Sequence, residues 1–478
     1  MKLSHIGLIA LKELKTAKRN GLTLILCGMI LALVFVAVAG GYINYKLQEQ
    51  VVKKASAEKR EQWLQQHDKH PHIAAHFGTF IFKPKSPLSF IDSGIDAYTG
   101  SAVYLEAHHQ HEFMFRPAQH QNLMVRFGEM SVAMVMQVLL PLLIIFSGFA
   151  CFTRERENNT LRMLLAQGIS PVSVAMGKVL AILSVPLLLM LPSIIALTLY
   201  IPSAQGMWAS GDLLLRVVML LFVYILYFFI ITCVTVLVSS YFKHSRSSLL
   251  LMLSIWILCT VILPKAAAGV GENLYPLPSN AEFKEKLQMT VSQGLDGKST
   301  KAERIDSLKK EYLSKYNASE LAEIHLNFGA IIMQSEENYG NNVHDFHYAK
   351  LIEQMEQQNN INTWSSILNP FISIRDLSMT MAGSCFYTNL HFQKQAEDYR
   401  RYLVETMNMD MAHNSKLGEF YEYKASKNLW ASIDDFSYTM PSIFEVLSHY
   451  MVQFWALIIW AIILPVLIIL LLKRLKLS

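Results

Sequence analysis

The residues whose types and spacing could do chemistry are, first, histidines: His67, His70, His72 and His76, then His108, His109 and His111. Imidazoles at such intervals can chelate zinc or copper. A one-turn pair, His344 and His347, follows in a later polar region. No cysteine stands among them and no HExxH is present, so metal-assisted hydrolysis has no signature. The histidines are expected to support the fold, with no metal held. Gly297-Lys298-Ser299 approaches the phosphate-cradling pattern GxxxxGK followed by Ser or Thr, but Ser292 stands where its first glycine belongs. Ser, His and Asp are plentiful, yet no GxSxG elbow exposes a nucleophile. The chain is therefore expected to be no enzyme and to bind no cofactor.

The elements that carry these residues are set by hydropathy. Of 478 residues, 52% are hydrophobic, and the mean hydropathy is +0.28, too apolar for a soluble enzyme of this size. The net charge of +5 comes without a long basic run, so a nucleic-acid partner has no support. Cys27, Cys151, Cys233 and Cys259 lie in or beside apolar runs, which leaves Cys385 alone in a polar region and rules out a disulfide framework there.

Six apolar runs are long enough to cross a bilayer. The first follows a basic flank, Lys2, Lys12, Lys15, Lys18 and Arg19 against Glu13, and spans Gly21 to Ile43. Ala37-Val38-Ala39 resembles a signal-peptidase site, but the run exceeds a signal core, which favours a retained anchor. Runs at 131–150, 179–200, 213–240, 249–268 and 451–472 follow. Pro186 and Pro192 are expected to kink the third. Lys243 and Arg246, and Lys473, Arg474 and Lys476, fall on the same side as the basic N-terminus, which places both termini in the cytoplasm.

The reading is an all-α polytopic membrane protein: six transmembrane helices with two large, mainly helical extracytoplasmic insertions. Its parts are a cytoplasmic N-terminus and first helix (1–43), a first insertion (44–130), helices two to five (131–268), a second insertion (269–450), and a sixth helix with a cytoplasmic tail (451–478). AERIDSLKKEYLSKY, ASELAEIHLNFGAIIMQ and YAKLIEQMEQQ give the second insertion its helical period.

Between the second and third runs lies CFTRERENNTLRMLLAQGISPVSVAMGK, residues 151–178. Thr160 offers a hydroxyl for a helix start, Leu161, Leu164 and Leu165 recur at helical spacing, and Gly168, Ser170 and Pro171 close that helix and open another. Glu155-Arg156-Glu157, Thr160-Leu161, Leu164-Leu165, Gly168, Ser170-Pro171 and Gly177-Lys178 resemble the coupling segment of ABC-2 type transporter permeases. Asn159 stands where that pattern usually has glycine, and it too tolerates turn conformations. Two further stretches, 76–113 and 368–408, resemble the permease subgroup with large extracytoplasmic insertions between spans 1-2 and 5-6. The first carries an HxG, a KPxSPL-like turn, an IDxG and a LEAH. The second carries Pro370, Ser378-Met379, Ala382-Gly383, His391-Phe392, Tyr399-Arg400 and Asn408.

The resemblance implies a permease subunit of an ATP-binding cassette exporter in a bacterial inner (plasma) membrane. It implies a second permease copy or similar permease, a cytoplasmic ABC ATPase dimer that binds the ATP, surrounding lipid, and a periplasmic or outer-membrane partner for the insertions. Glu155, Arg156, Glu157, Thr160, Leu161, Leu164, Gly168 and Pro171 are the expected ATPase-coupling residues, with Glu155 to Glu157 making charged contacts and Leu161 and Leu164 filling an apolar notch. Two alternatives stay open: a non-transporting ABC-type mechanotransducer or scaffold, and a membrane-bound hydrolase.

Overall fold

Asn20 starts the longest helix, its side chain accepting a hydrogen bond from Leu22 N. In the computed structural model, which describes residues 3–100, 102–108, 113–114, 131–200, 211–297, 299–419 and 422–473, this helix does not stop where the apolar residues stop. Helix α1 is Leu3–Arg19, and α2 runs unbroken over Gly21–Leu64. The charged stretch after Ile43 is rich in helix formers and holds no proline, so nothing ends the helix at the apolar boundary. Its 44 residues extend about 66 Å, twice the thickness of a hydrocarbon core. The first span and the first insertion therefore share one rigid rod.

Beyond α2 come α3 (Pro71–His76) and three strands, β1 (Thr79–Phe82), β2 (Ala102–Leu105) and β3 (Phe113–Met114), paired antiparallel in the order β1-β2-β3. Thr79 faces Leu105, Phe82 faces Ala102, and Ala102 faces Met114. This small sheet is the exception to a mainly helical first insertion. Its alternation was hidden in short segments broken by Gly78, Pro84, Pro87 and Gly100.

Ser131 caps the next helix, α4 (residues 132–148), by accepting from Met134 N. A π turn at Val135–Leu139 precedes Pro141, where a missing backbone N–H has to be absorbed. The linking segment holds α5 (Thr153–Glu157) and α6 (Thr160–Ala166). Then α7 (Pro171–Leu189) carries Pro186 within it, and α8 (Leu191–Tyr200) follows a break at Met190, next to the expected proline kinks. The helix of the third span thus begins at Pro171 and absorbs the end of the coupling segment. Helices α9 (Gly211–Tyr241) and α10 (Ser245–Leu274) complete the fourth and fifth spans.

The second insertion opens with α11 (Asn280–Gln293) and α12 (Lys301–Lys315), each started by a reciprocal capping box, Ser279 with Glu282 and Thr300 with Glu303. Helices α13 (Phe328–Ser365), α14 (Pro370–Ala382) and α15 (Phe386–Asn414) follow, and α16 (Met451–Lys473) is the last span. Asn369 accepts from Phe371 N ahead of Pro370, and Gly383 ends α14 at a left-handed φ of 71°. Helix α14 packs on α9 and α16, so part of the second insertion returns to the span bundle.

Among the described residues, six helices are long and apolar enough to cross a membrane, those containing α2, α4, α7, α9, α10 and α16. Their shared core holds Val34, Leu140, Val174, Tyr227, Phe228 and Leu457, all essentially inaccessible. Arg216, on the fourth of these helices, is buried with its charge answered: Nε donates to Asp212 Oδ2 at 2.6 Å and Nη2 to the Pro441 carbonyl at 2.7 Å.

Candidate coupling site

Asn158 and Asn159 bend the chain between α5 and α6, and Asn159 takes a left-handed φ of 57°. This is the position where the resembling pattern has glycine, and asparagine tolerates the conformation for the reason given above. Thr160 is the first residue of α6 and not its cap: its Oγ1 donates back to the Glu155 carbonyl at 3.3 Å, so it ties α6 to α5. Gly168 leaves α6 at φ +78°, a value that side chains rarely adopt. Ser170 then caps α7 by accepting from Ser173 N at 3.1 Å, with Pro171 in the first turn.

Glu155, Arg156, Glu157 and Lys178 at this elbow each bond another part of their own chain. Glu155 is buried, and its Oε1 lies 2.8 Å from Lys12 Nζ and 3.0 Å from Lys178 Nζ. Lys178, 1% exposed, also reaches Glu13 Oε1 at 2.9 Å. Close approach makes this grouping possible, because a Cβ on Gly177 would stand 2.7 Å from Ile9 Cβ. Arg156 Nη1 donates to the Phe242 carbonyl at 2.6 Å, where α9 has just ended. Glu157 accepts from Ser245 N at 2.9 Å and Ser245 Oγ at 3.0 Å, placing a carboxylate at the N-terminus of α10, where the helix dipole favours it. Leu161 is buried in the core and Leu164 is half-buried. What the elbow shows outward is Arg154, Asn158, Arg162, Met163 and Gln167, and Met163 is 64% exposed.

The two other motif stretches meet each other. Asp92, of the IDxG, accepts from Ser378 Oγ at 2.5 Å and from Gly94 N at 3.0 Å. Ser384 Oγ donates to the Asp92 carbonyl, and Ile95 N to the Ser384 carbonyl. Tyr224 on α9 joins Gln137 to Ser378, each at 3.0 Å. Burial pushes the Asp92 carboxyl above its ordinary value, against the hydrogen bonds from Ser378 and Gly94 that pull it down.

Of the histidines, His72, His76 and His108 come together, with ligand-capable nitrogens within 4.8 Å of one another. Burial, then the neighbouring His76 and His108, pushes His72 down to about 4. His344 stacks on Tyr348, whereas His347 Nε2 pairs with Thr290 Oγ1 at 2.8 Å, so that pair does not converge. His109, His111 and Lys298 lie outside the described residues. The Gly297 turn is closed by Asp296, whose Oδ1 accepts from Ser299 N at 2.9 Å, a carboxylate where a phosphate cradle would need positive potential.

The fold is that of a polytopic helical membrane protein whose second and third spans are joined by a double-helical elbow. Residues 103–259 match the ABC-2 family transporter protein model, so the elbow and the spans around it lie inside the match. Over these residues the chain is similar to the ABC-2 family transporter proteins, a family whose members partner an ABC ATPase. Residues 282–439 match a domain of unknown function, DUF3526. No curated protein matches the chain.

Residue spacing pointed to the elbow but not to the bonds that Glu155 and Glu157 make within the chain. Lys12 and Ser245, which pair with these carboxylates, Phe242, which pairs with Arg156, and Glu13, which pairs with Lys178, are remote in sequence, and the only signal was that Glu13 is the single acid in a basic flank.

Proposed function

We propose that this chain is the membrane permease of an exporter in a bacterial inner membrane, working as a pair of permeases and driven by a separate cytoplasmic ATPase dimer that seats on the elbow. The observation that carries this reading is the division of labour at residues 151–178. Glu155, Arg156, Glu157 and Lys178 lock the elbow to α1, α7, α9 and α10, while Arg154 on α5 and Arg162 and Met163 on α6 stand outward. A push on that surface reaches three spans at once through charge-assisted contacts. The docking contact therefore belongs to the outward residues, with the expected Glu155 and Arg156 acting one layer beneath and Glu157 at the exposed edge.

The experiment is capture of an ABC ATPase from membranes of the source cell, identified by mass spectrometry. The wild-type chain is expected to retain an ABC ATPase, and Arg162→Glu/Met163→Asp to lose it at equal membrane level. Equal capture by both, or no ATPase with either, overturns the docking surface.

A second reading, mechanical work on an outer partner without transport, is favoured by α2. A continuous helix of 44 residues can carry motion from the first span into the first insertion without a joint. Nucleotide-dependent movement of the insertions, with no solute crossing sealed vesicles, would select it.

A further inference from the structure

The imidazoles of His72, His76 and His108 are brought together by two elements that are not neighbours in the chain. His72 and His76 are one turn apart on α3, so their rings share a face, and their Nε2 atoms are 3.2 Å apart. Two nitrogens bound to one tetrahedral zinc at about 2.0–2.1 Å stand about 3.3–3.4 Å from each other. This pair is already at that spacing. His108 comes from the turn after β2, held at a left-handed φ of 65°. Its ring centroid lies 5.2 Å from that of His72 and 5.0 Å from that of His76.

A fourth residue sets which nitrogen of His108 is available. Its Nδ1 contacts the Oε1 of Glu337, a buried carboxylate on α13 in the second insertion. A carboxylate that accepts a hydrogen bond from Nδ1–H fixes the tautomer and leaves Nε2 as the nitrogen able to bind a metal, the arrangement that orients metal-bound histidines. Glu337 is itself positioned. Arg400 Nη1 lies 3.6 Å from its Oε2, and Glu397 holds the same guanidinium at 2.9 and 2.8 Å. On the other side Asn408 donates to Gln334 Oε1 at 2.9 Å.

We propose that His72, His76 and His108 bind a zinc ion through their imidazole nitrogens within the first insertion, with Glu337 of the second insertion as the carboxylate that positions His108. Three neutral nitrogens suit zinc or another borderline first-row cation and do not suit magnesium or calcium, which take oxygen ligands. His76 and His108 are exposed, which leaves the fourth coordination position on the solvent side, open to water or to a donor from an outer partner. The inference does not depend on transport or on the ATPase. It reverses the expectation that the histidines only support the fold, and what reverses it is Glu337, which no sequence spacing connects to them.

The test uses the full chain in detergent, carrying no polyhistidine tag, stripped with a chelator and titrated with Zn²⁺ against a chromogenic competitor. Wild type is expected to bind one zinc per chain. His76→Ala/His108→Ala is expected to lose that binding by 100-fold or more, and Glu337→Gln to weaken it roughly 10–100-fold. His67→Ala, an exposed histidine outside the cluster, is expected to bind as wild type does. Cobalt substitution of the wild-type chain is expected to give the intense visible absorption of a tetrahedral nitrogen site, a readout that no variant's folding can disturb. Absence of stoichiometric zinc on wild type, an octahedral cobalt spectrum, or unchanged affinity in the double variant with wild-type thermal unfolding each overturns the proposal.

Discussion

Asp92 and Ser378 lie 286 positions apart in sequence and share a hydrogen bond of 2.5 Å in the buried interior. That contact joins a turn of the first insertion to α14 of the second, and Tyr224 and Gln137 extend it into the spans. The insertions are thus fastened to each other and to the membrane bundle by the same group.

Removing the Asp92 carboxylate leaves a buried hydroxyl and an amide without their acceptor, at a cost of about 1–3 kcal/mol each. Asp92→Ala is expected to lower the unfolding temperature of the purified protein clearly, and Asp92→Asn less. Gly94→Ala is expected to be at least as damaging, because Gly94 has φ +50° and an added Cβ would collide with the Ser384 carbonyl and side chain. The sign of the pH effect follows from burial, which raises the carboxyl above its ordinary 3.8. The folded state then keeps its proton to higher pH than the unfolded state, so this group's contribution to stability falls as pH rises above 3.8. Asp92→Asn is expected to flatten that part of the stability profile, and an unchanged slope counts against a buried Asp92.

The hydrophobic spans were legible because twenty apolar residues have few other uses, and Pro171, Gly168 and Ser170 announced their own turns. The meeting of Asp92 with Ser378, and of His108 with Glu337, was not legible. Each motif stretch could be placed in its own insertion, but no local rule pairs residues across several spans. The continuation of α2 past the apolar run was not legible for a related reason: the change from apolar to charged residues marks the change of surroundings, while the helix itself continues through good helix formers.

Orientation is tested by reporters. Basic loops alternate with neutral ones along the chain, so fusions after Lys178, Lys243 or Ser478 are expected to read cytoplasmic. Fusions after Gln110, which lies outside the described residues, and after Leu351 on α13 are expected to read external. A cytoplasmic signal from either insertion would sink the six-span topology.

Nucleotide chemistry is expected to need a second protein. The Gly297 turn presents Asp296 and lacks the first glycine of a phosphate loop, so the purified chain should show no saturable ATP binding. Hydrolysis is expected to appear only when an ABC ATPase is added. Saturable binding of a fluorescent ATP analogue by the chain alone would overturn this.

Lys178, Glu13 and Glu155 allow locking and docking to be separated. Reversing Glu155 to Lys sets a new ammonium beside Lys12 and Lys178 and leaves Glu13 as the one carboxylate still facing them. Breaking a buried pair from one side typically costs about 3–5 kcal/mol, since the remaining charge stays buried. Glu155→Lys is therefore expected to lower thermal stability and to weaken ATPase capture as a consequence of a deformed elbow. Met163→Asp changes an exposed side chain, and stability should move by about 0.5 kcal/mol or less. Yet it puts a charge on the outward apolar contact, and capture is expected to fail with the fold intact. Thermal unfolding and ATPase capture measured on both variants distinguish the two roles. If Glu155→Lys unfolds at the wild-type temperature, the carboxylate is not locking the elbow; if Met163→Asp captures the ATPase normally, the outward face of α6 is not where the motor sits.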